Sequence, residues 1–348
     1  MLREEIDRID DEIAELIGKR IELAKRIAEL KKRRGLAVTD IEREADVILK
    51  WRKRLAKHGV PTDIATSIAR DIIASSKAVE IKAMVVNPPK DKGICIVGYG
   101  AMAKTLALSF KNEGYRITIT GRDVEKATAV GRELGIDAKP VHSALDDCSI
   151  SILALSMDAF TSGFIDSIAS YMKGKIVMDI LSSKQRVFKH LESLSKDIGF
   201  RYISTHPLFG PYSSPTGEKV VLIPSETGYS AVDEAISLWL SIGAEPVVAT
   251  LDEHEKAMAI VQTLTHFLLM AYSKAVEKLS KEMGVDVTKF ATPTFRDVHA
   301  VVARLKKICN TVEEIQRENP YAQEIRSRFL DMSKELSFNA GRGLCSSS

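Results

Sequence analysis

No apolar run in the chain approaches the roughly 18 residues needed to span a bilayer, so no membrane partner is expected. Cysteine is scarce. Cys95, Cys148, Cys309 and Cys345 stand far apart, with no CxxC pair and no Cys/His cluster, which argues against both a zinc site and a disulfide framework and leaves reduced, inert thiols as the expectation. Charge of one sign is also lacking: 50 Lys and Arg oppose 47 Asp and Glu, and the small excess lies in residues 1–86, where 19 basic residues meet 16 acidic ones. Only that segment is expected to draw an anion. Aromatics are few, at 6%, and are not interleaved with a basic stripe, so nucleic acid is not an expected partner. The opening MLREEIDRIDDE is too acidic and too helical for a signal or transit peptide, and a cytoplasmic location is expected.

What is present is ordinary globular composition, 45% hydrophobic and 28% charged over 348 residues, with room for two or three domains. The Asn87-Pro88-Pro89-Lys90-Asp91-Lys92 stretch reads as a linker (87–92) between a helical segment and an apolar strand. Upstream, residues 1–86 read as an all-α three-helix module. Ile6, Ile9, Ile13, Leu16, Ile17, Leu23, Ile27 and Leu30 recur at alternating three and four spacing on the first helix, a second helix starts near Asp40, and a third runs from Pro61-Thr62-Asp63 to about Val85. Three helices cannot bury such a seam alone, so a homodimer is expected. Downstream, residues 93–250 alternate strands and helices. Beyond Asp252 the strand signal stops, and 251–340 read as an all-α domain with long helices over His254–Lys281 and Phe295–Leu336, before a disordered tail at 341–348.

Gly98-Tyr99-Gly100-Ala101-Met102-Ala103 is a GxGxxA turn that leaves a strand and opens a helix, the context that marks a Rossmann-type α/β dinucleotide-binding domain. The first glycine permits the tight turn, the second lets backbone approach a pyrophosphate, and Ala103 lets helix and strand pack closely. The helix N-terminus supplies N–H donors and partial positive charge. At the end of the second strand the sequence reads Thr120-Gly121-Arg122-Asp123, and Arg122 suits a 2′-phosphate better than a bare ribose hydroxyl, so the cofactor reading leans to NADP over NAD.

His206-Pro207-Leu208-Phe209-Gly210-Pro211 follows a strand, and Asp179-Ile180-Leu181-Ser182-Ser183-Lys184 closes another. With Glu253-His254-Glu255 and Gln262-Thr263-Leu264-Thr265-His266, these segments resemble the prephenate dehydrogenase family over about residues 93–335. The resemblance implies oxidative decarboxylation of prephenate to 4-hydroxyphenylpyruvate. It makes His206 the base that takes the 4-hydroxyl proton, a task suited to an imidazole near neutrality. Ser182 would orient that histidine and touch the hydroxyl, Arg296 would grip the substrate carboxylate through its planar guanidinium, and His266 would stand near the site. His254 reads as structural. Pro211 and Tyr212 replace polar residues found after the HP motif in some members, which leaves prephenate and arogenate as alternatives.

In the first helix Arg20 interrupts the apolar seam, and Lys31, 11 residues on, returns to within about 20° of it at about 100° per residue. Two cations on one apolar face require acidic partners, an anionic ligand, or escape along a dimer seam. Leu2-Arg3-Glu4-Glu5-Ile6, Gly18-Lys19-Arg20-Ile21-Glu22-Leu23, Lys31 and Asp40-Ile41-Glu42-Arg43-Glu44 together resemble the all-helical chorismate mutases over residues 2 to about 82. That resemblance implies that Arg3 (from the partner chain), Arg20 and Arg43 hold the carboxylates of chorismate and their neighbours. Lys31 would donate to the ether oxygen, Asp40 and Glu44 would meet the ring hydroxyl region, and Ser76 would line the pocket. Glu80 stands where many members carry glutamine, and a glutamate donates a hydrogen bond to the ether oxygen only when protonated. The combined expectation is a bifunctional enzyme that makes prephenate and then oxidises it. The alternative is a dehydrogenase whose helices serve only dimerisation or regulation.

Overall fold

The computed structural model describes residues 2–34, 41–82, 91–211 and 213–338. Asp40, Tyr212, the end of the third helix near Val85, most of the 87–92 linker and the tail at 341–348 therefore lie outside the described residues, as does the side chain of Lys31. The chain divides into two compact units: residues 1–181 with 192–248, and 182–191 with 249–348.

The first unit opens with α1 (Leu2–Arg34), α2 (Ile41–Ala56) and α3 (Thr62–Lys82). At about 1.5 Å per residue α1 is about 50 Å long. Helix α3 packs against both others, and Ala24, Ala28, Ala65 and Ala69 are buried there, small side chains that let backbones approach closely. Arg52 Nε ties α2 to α3 by donating to Thr66 Oγ1 at 2.7 Å. The apolar seam of α1 is only partly consumed: Ile6, Ile9, Ile13, Leu16, Leu23, Ile27 and Leu30 are all exposed in the single chain.

An eight-stranded sheet follows: β1 (Ile94–Val97), β2 (Ile117–Thr120), β3 (Asp137–Ala138), β4 (Ile150–Leu153), β5 (Ile176–Asp179), β6 (Arg201–Pro207), β7 (Lys219–Pro224) and β8 (Glu245–Val248). Their spatial order is 3-2-1-4-5-6-7-8, parallel throughout except where β7 runs against β6. The first six strands have the dinucleotide-binding order, in which the chain reverses direction between β1 and β4 and opens a crevice beyond their carboxyl ends. Strands β1, β2, β4 and β5 are buried at every position, so that even Thr118, Thr120, Ser151 and Asp179 lie inside and neither face of the sheet is left to solvent there. Helices α4 (Ala101–Asn112), α5 (Val124–Leu134), α6 (Val141–Asp146), α7 (Met157–Thr161), α8 (Phe164–Ile168), α9 (Gln185–Ile198) and α10 (Val232–Ser241) link the strands. One core of this unit is built on Phe110, whose ring meets Tyr115 and Trp239 edge-on at 5.7 and 5.9 Å. Ile81 of α3 is buried against Leu240 and Ile236 of α10, so the mutase-like helices pack on the sheet domain.

The second unit contains α11 (Leu251–Met258), a π-helical segment (Ala259–Leu264), α12 (Thr265–Met283), α13 (Pro293–Lys307), α14 (Cys309–Glu318) and α15 (Ala322–Phe338). Two sequence expectations are corrected here. The helix expected over 254–281 is interrupted by the π turn, and Gln316 Nε2 donates to the Thr263 carbonyl inside it at 2.6 Å. The helix expected over 295–336 is three helices. Pro320 cannot continue α14, and Asn319 turns the chain by accepting from Tyr321 N at 2.9 Å. Among the described residues no helix is long and apolar enough to cross a membrane, and no cluster of three metal-ligating side chains forms.

Candidate active sites

The glycine turn lies at the β1 end of the crevice. Gly98 has φ +136°, and a Cβ there would strike the Ala154 carbonyl after β4, so only glycine fits. Its N–H donates to Thr120 O at 2.7 Å, which holds the turn against β2. At Gly100, the N-cap of α4, a Cβ would meet nothing within 4 Å, and no side chain caps the helix. The first turn of α4, at Ala101, Met102 and Ala103, thus begins beside open space with no side chain on its free N–H groups, the donors a pyrophosphate requires, while Ala103 is buried against the sheet. Gly121 is small for a different reason: a Cβ would come within 2.7 Å of the Tyr99 ring. These residues fit a dinucleotide.

Beyond β2, Asp123 is committed elsewhere. Its carboxylate caps α5 by accepting from Lys126 N at 3.0 Å, and that bond holds the carboxyl below its ordinary range. Arg122 is left as the charged side chain at the strand end. It is about half exposed, 3.3 Å from Asp158 Oδ2 of α7, with its guanidinium 5.8 Å from the Phe164 ring centroid.

His206 is 3% exposed and sits within β6, opposite Val221 of β7, so the strand runs two residues further than the sequence suggested, through the HP pair itself. The neighbouring polar cluster was not anticipated. Asp179, at the end of β5, is fully buried and accepts from Tyr202 Oη at 2.7 Å and Ser204 Oγ at 2.5 Å through Oδ2, and from Leu181 N at 3.0 Å through Oδ1. Thr205 Oγ1 donates to the Asp179 carbonyl at 2.6 Å. The alternation Tyr202-x-Ser204-x-His206 was the available signal, because residues two apart in a strand share a face.

The second unit carries Ser182, His266 and Arg296. Ser182 is half-buried and precedes Lys184, whose backbone N donates to Glu255 Oε1 at 3.2 Å. Glu255 Oε2 accepts from Asn319 Nδ2 at 3.1 Å, and His254 Nδ1 lies 3.5 Å from Glu255 Oε1 in the same buried cluster. His266 opens α12 directly after the π turn. Its Nδ1 is buried without a hydrogen-bond partner, and burial pushes its pKa down. Arg296 is exposed in the first turn of α13, which Thr292 caps by accepting from Phe295 N at 3.2 Å.

On the helical module Arg20 is turned inward. Its Nη1 donates to Ile72 O at 3.0 Å and to Ser76 Oγ, both on α3. Glu80 follows Ser76 by one turn and is half-buried on the same helix. Glu44 is paired with Lys77 at 3.1 Å, a basic residue beside Ser76 that the sequence reading missed. Arg43 is exposed and pairs with Asp46 on its own helix at 2.9 Å. Arg3 is exposed and lies 17 residues from Arg20 on α1, about 25 Å along the axis, so one chain does not bring the two together.

Geometry thus defines a helical module with an inward-turned arginine, joined to a core with the dinucleotide-binding strand order and glycine turn. Comparison with known proteins bears this out. Residues 2–81 match the chorismate mutase type II family, residues 106–248 the nucleotide-binding domain of prephenate dehydrogenase, and residues 250–339 its dimerisation domain. The chain is 31% identical over 252 residues to a probable arogenate/prephenate dehydrogenase of Methanocaldococcus jannaschii, covering 70% of this chain and 55% of the relative. It is 34% identical over 91 residues to the chorismate mutase of the same organism, covering 26% of this chain and 92% of that protein. The T-protein of Enterobacter agglomerans is 26% identical over 310 residues, covering 87% and 77%. Among solved structures, prephenate dehydrogenase from A. aeolicus in complex with hydroxyphenyl propionate and NAD+ superposes with a TM-score of 0.57 at 20% identity, covering 72% of this chain and 92% of that one, a likeness of fold. The chain belongs to the family in which a type II chorismate mutase domain is fused to the nucleotide-binding and dimerisation domains of a prephenate dehydrogenase.

Proposed function

We propose that the chain converts chorismate to prephenate on residues 1–86 and then oxidises prephenate to 4-hydroxyphenylpyruvate with a nicotinamide dinucleotide bound across 93–250, the helices of 251–340 completing a homodimer. The observation that carries this reading is the inward turn of Arg20 onto Ser76, in the same compact unit as the glycine turn at the β1–β4 crevice.

The first reaction is a Claisen rearrangement and needs no acid, base or nucleophile. It needs a folded dianion and charge stabilised on the breaking ether bond, which cations on rigid helices supply. Arg20, Ser76 and Glu80 form the part of that pocket contributed by α1 and α3. Lys31, Asp40, Arg43 and Glu44 are assigned to it by their match to the family motif. Arg3 is assigned from a second copy, because the α1 spacing keeps it from its own chain's Arg20, and the exposed α1 seam is the surface that copy covers.

In the second reaction His206 removes the proton of the 4-hydroxyl as the C4 hydride departs, and loss of CO2 makes the ring aromatic. A nicotinamide, when bound, would supply the hydride acceptor. Gly98, Tyr99, Gly100, Ala101, Met102 and Ala103 would hold its pyrophosphate, and Arg122 would meet a 2′-phosphate, which favours NADP over NAD. Ser182, His266 and Arg296 are assigned to orientation of the base and to the substrate carboxylate by their motifs. The test is incubation of the full chain with chorismate and NADP or NAD, following cofactor reduction. Reduction from chorismate establishes both activities together. Reduction only from added prephenate leaves the helices as a dimerisation or regulatory module.

A further inference from the structure

We propose that Asp179 is a positioning residue of the dehydrogenase, its buried carboxylate joining the strand that carries His206 to the chain segment that leads into Ser182. The inference rests on the assignment of His206 as the base.

A carboxylate in a core is costly unless donors surround it, and a well-packed apolar side chain would often stabilise the fold as well or better. Asp179 is fully buried and receives donors from two different directions. Tyr202 and Ser204 converge on Oδ2 from β6, and Leu181 N meets Oδ1 from the segment immediately before Ser182. The Thr205 hydroxyl adds a bond to the Asp179 carbonyl. Tyr202, Thr205 and Ser204 are all within four residues of His206, and Ser204 lies two positions before it on the same face, about 7 Å along the strand. Burial, and then the Asp179 charge, push the Tyr202 phenol well above its ordinary value, so it remains a donor.

Directional bonds of this kind fix where β6 delivers the imidazole and the angle at which the chain leaves β5. Their value to the reaction is geometric, since a displacement of about 1 Å at a reacting group can cost about 100-fold in rate. Asp179 touches neither the nucleotide turn nor the mutase helices in any of these bonds, so its contribution is confined to the dehydrogenase step.

The test is Asp179→Asn in the full chain. It keeps the volume, and the amide still accepts from Leu181 N. The dehydrogenase kcat is expected to fall about 10- to 100-fold, with prephenate KM and cofactor Kd changed less than about 3-fold and Tm little altered. In a His206→Ala background the same substitution is expected to cost less than about 2-fold, because residues acting as a unit are not additive. An equal loss in both backgrounds, or an unchanged kcat in the wild-type background, overturns the proposal. If His206→Ala itself retains full dehydrogenase rate, the base assignment fails, and the Asp179→Asn kcat then reports on Asp179 alone. Should Asp179→Asn not fold, Tyr202→Phe and Ser204→Ala decide: each must lower kcat without weakening cofactor binding, and retention of the wild-type kcat by both rejects the positioning role.

Discussion

The Lys77 side chain on α3 runs across Gly217, in the loop between β6 and β7, where φ is +77° and a Cβ would stand 2.8 Å from Lys77 Cδ. The helix that carries Ser76 and Glu80 therefore touches the chain that continues from His206.

Gly217→Ala must push Lys77 aside and hold alanine in the left-handed region, a cost of about 1–2 kcal/mol. Thermal unfolding should show a Tm lowered by several degrees. Lys77→Ala should relieve only the steric part, so the double variant is expected to be more stable than the sum of the single effects. Strict additivity in that cycle would show that the two residues do not press on each other.

Arg20→Lys should lower mutase kcat/KM by at least about 100-fold, because an ammonium cannot reproduce the planar grip of a guanidinium on a carboxylate and on Ser76. Oxidation of added prephenate by the same preparation should be unaffected. A mutase that tolerates lysine would remove Arg20 from the pocket.

Glu80→Gln places an amide donor where many members of the mutase family carry glutamine, so kcat/KM for chorismate should be retained or raised, whereas Glu80→Ala, which removes the hydrogen-bonding group, should lower it by at least about 10-fold. Equal activity in the two variants would refute the role.

Much of this arrangement was legible in the sequence and some was not, for physical reasons. The glycine turn could be read because positive φ and close approach admit few residues, and Gly98 answers both demands. The exposed seam of α1 could be read because helical periodicity is local. The break at Pro320 follows from a missing N–H, yet the break at Ile308 falls in Lys306-Lys307-Ile308-Cys309, where no proline or glycine announces it. The π turn over Ala259–Leu264 was likewise unreadable, as its Thr263 carbonyl is met by Gln316 from another helix. Asp179 appeared in a recognised motif without a role. Its partners lie on the next strand, and only the fold brings them together.

Arg122→Ala should weaken NADP binding by about 10- to 100-fold and leave NAD nearly unchanged, because a surface pair with Asp158 is worth little and yields readily to a phosphate. Cofactor titration of the two proteins decides it. A wild-type preference for NAD that survives the substitution would overturn the NADP assignment.

The depressed pKa of His266 has a sign that can be checked. On acidification the unfolded chain takes up this proton first, so stability is lost as pH falls from about 6.5 toward the lower folded value, and is unaffected by this group above that. His266→Gln should reduce the drop in Tm between pH 7 and 5. An identical acid response in the variant would assign the effect to other groups.

The π turn after α11 also acts as a local insertion. A π turn arises when an α-helix carries one residue more than its hydrogen-bond ladder accommodates, and the widened turn absorbs that residue where it stands. Removing one residue from Ala259–Leu264 would let α11 and α12 merge into a regular helix with His266 still in phase with His254 and Glu255. A single-codon deletion could thus keep helix content and downstream direction while removing the widened turn whose Thr263 carbonyl Gln316 reaches.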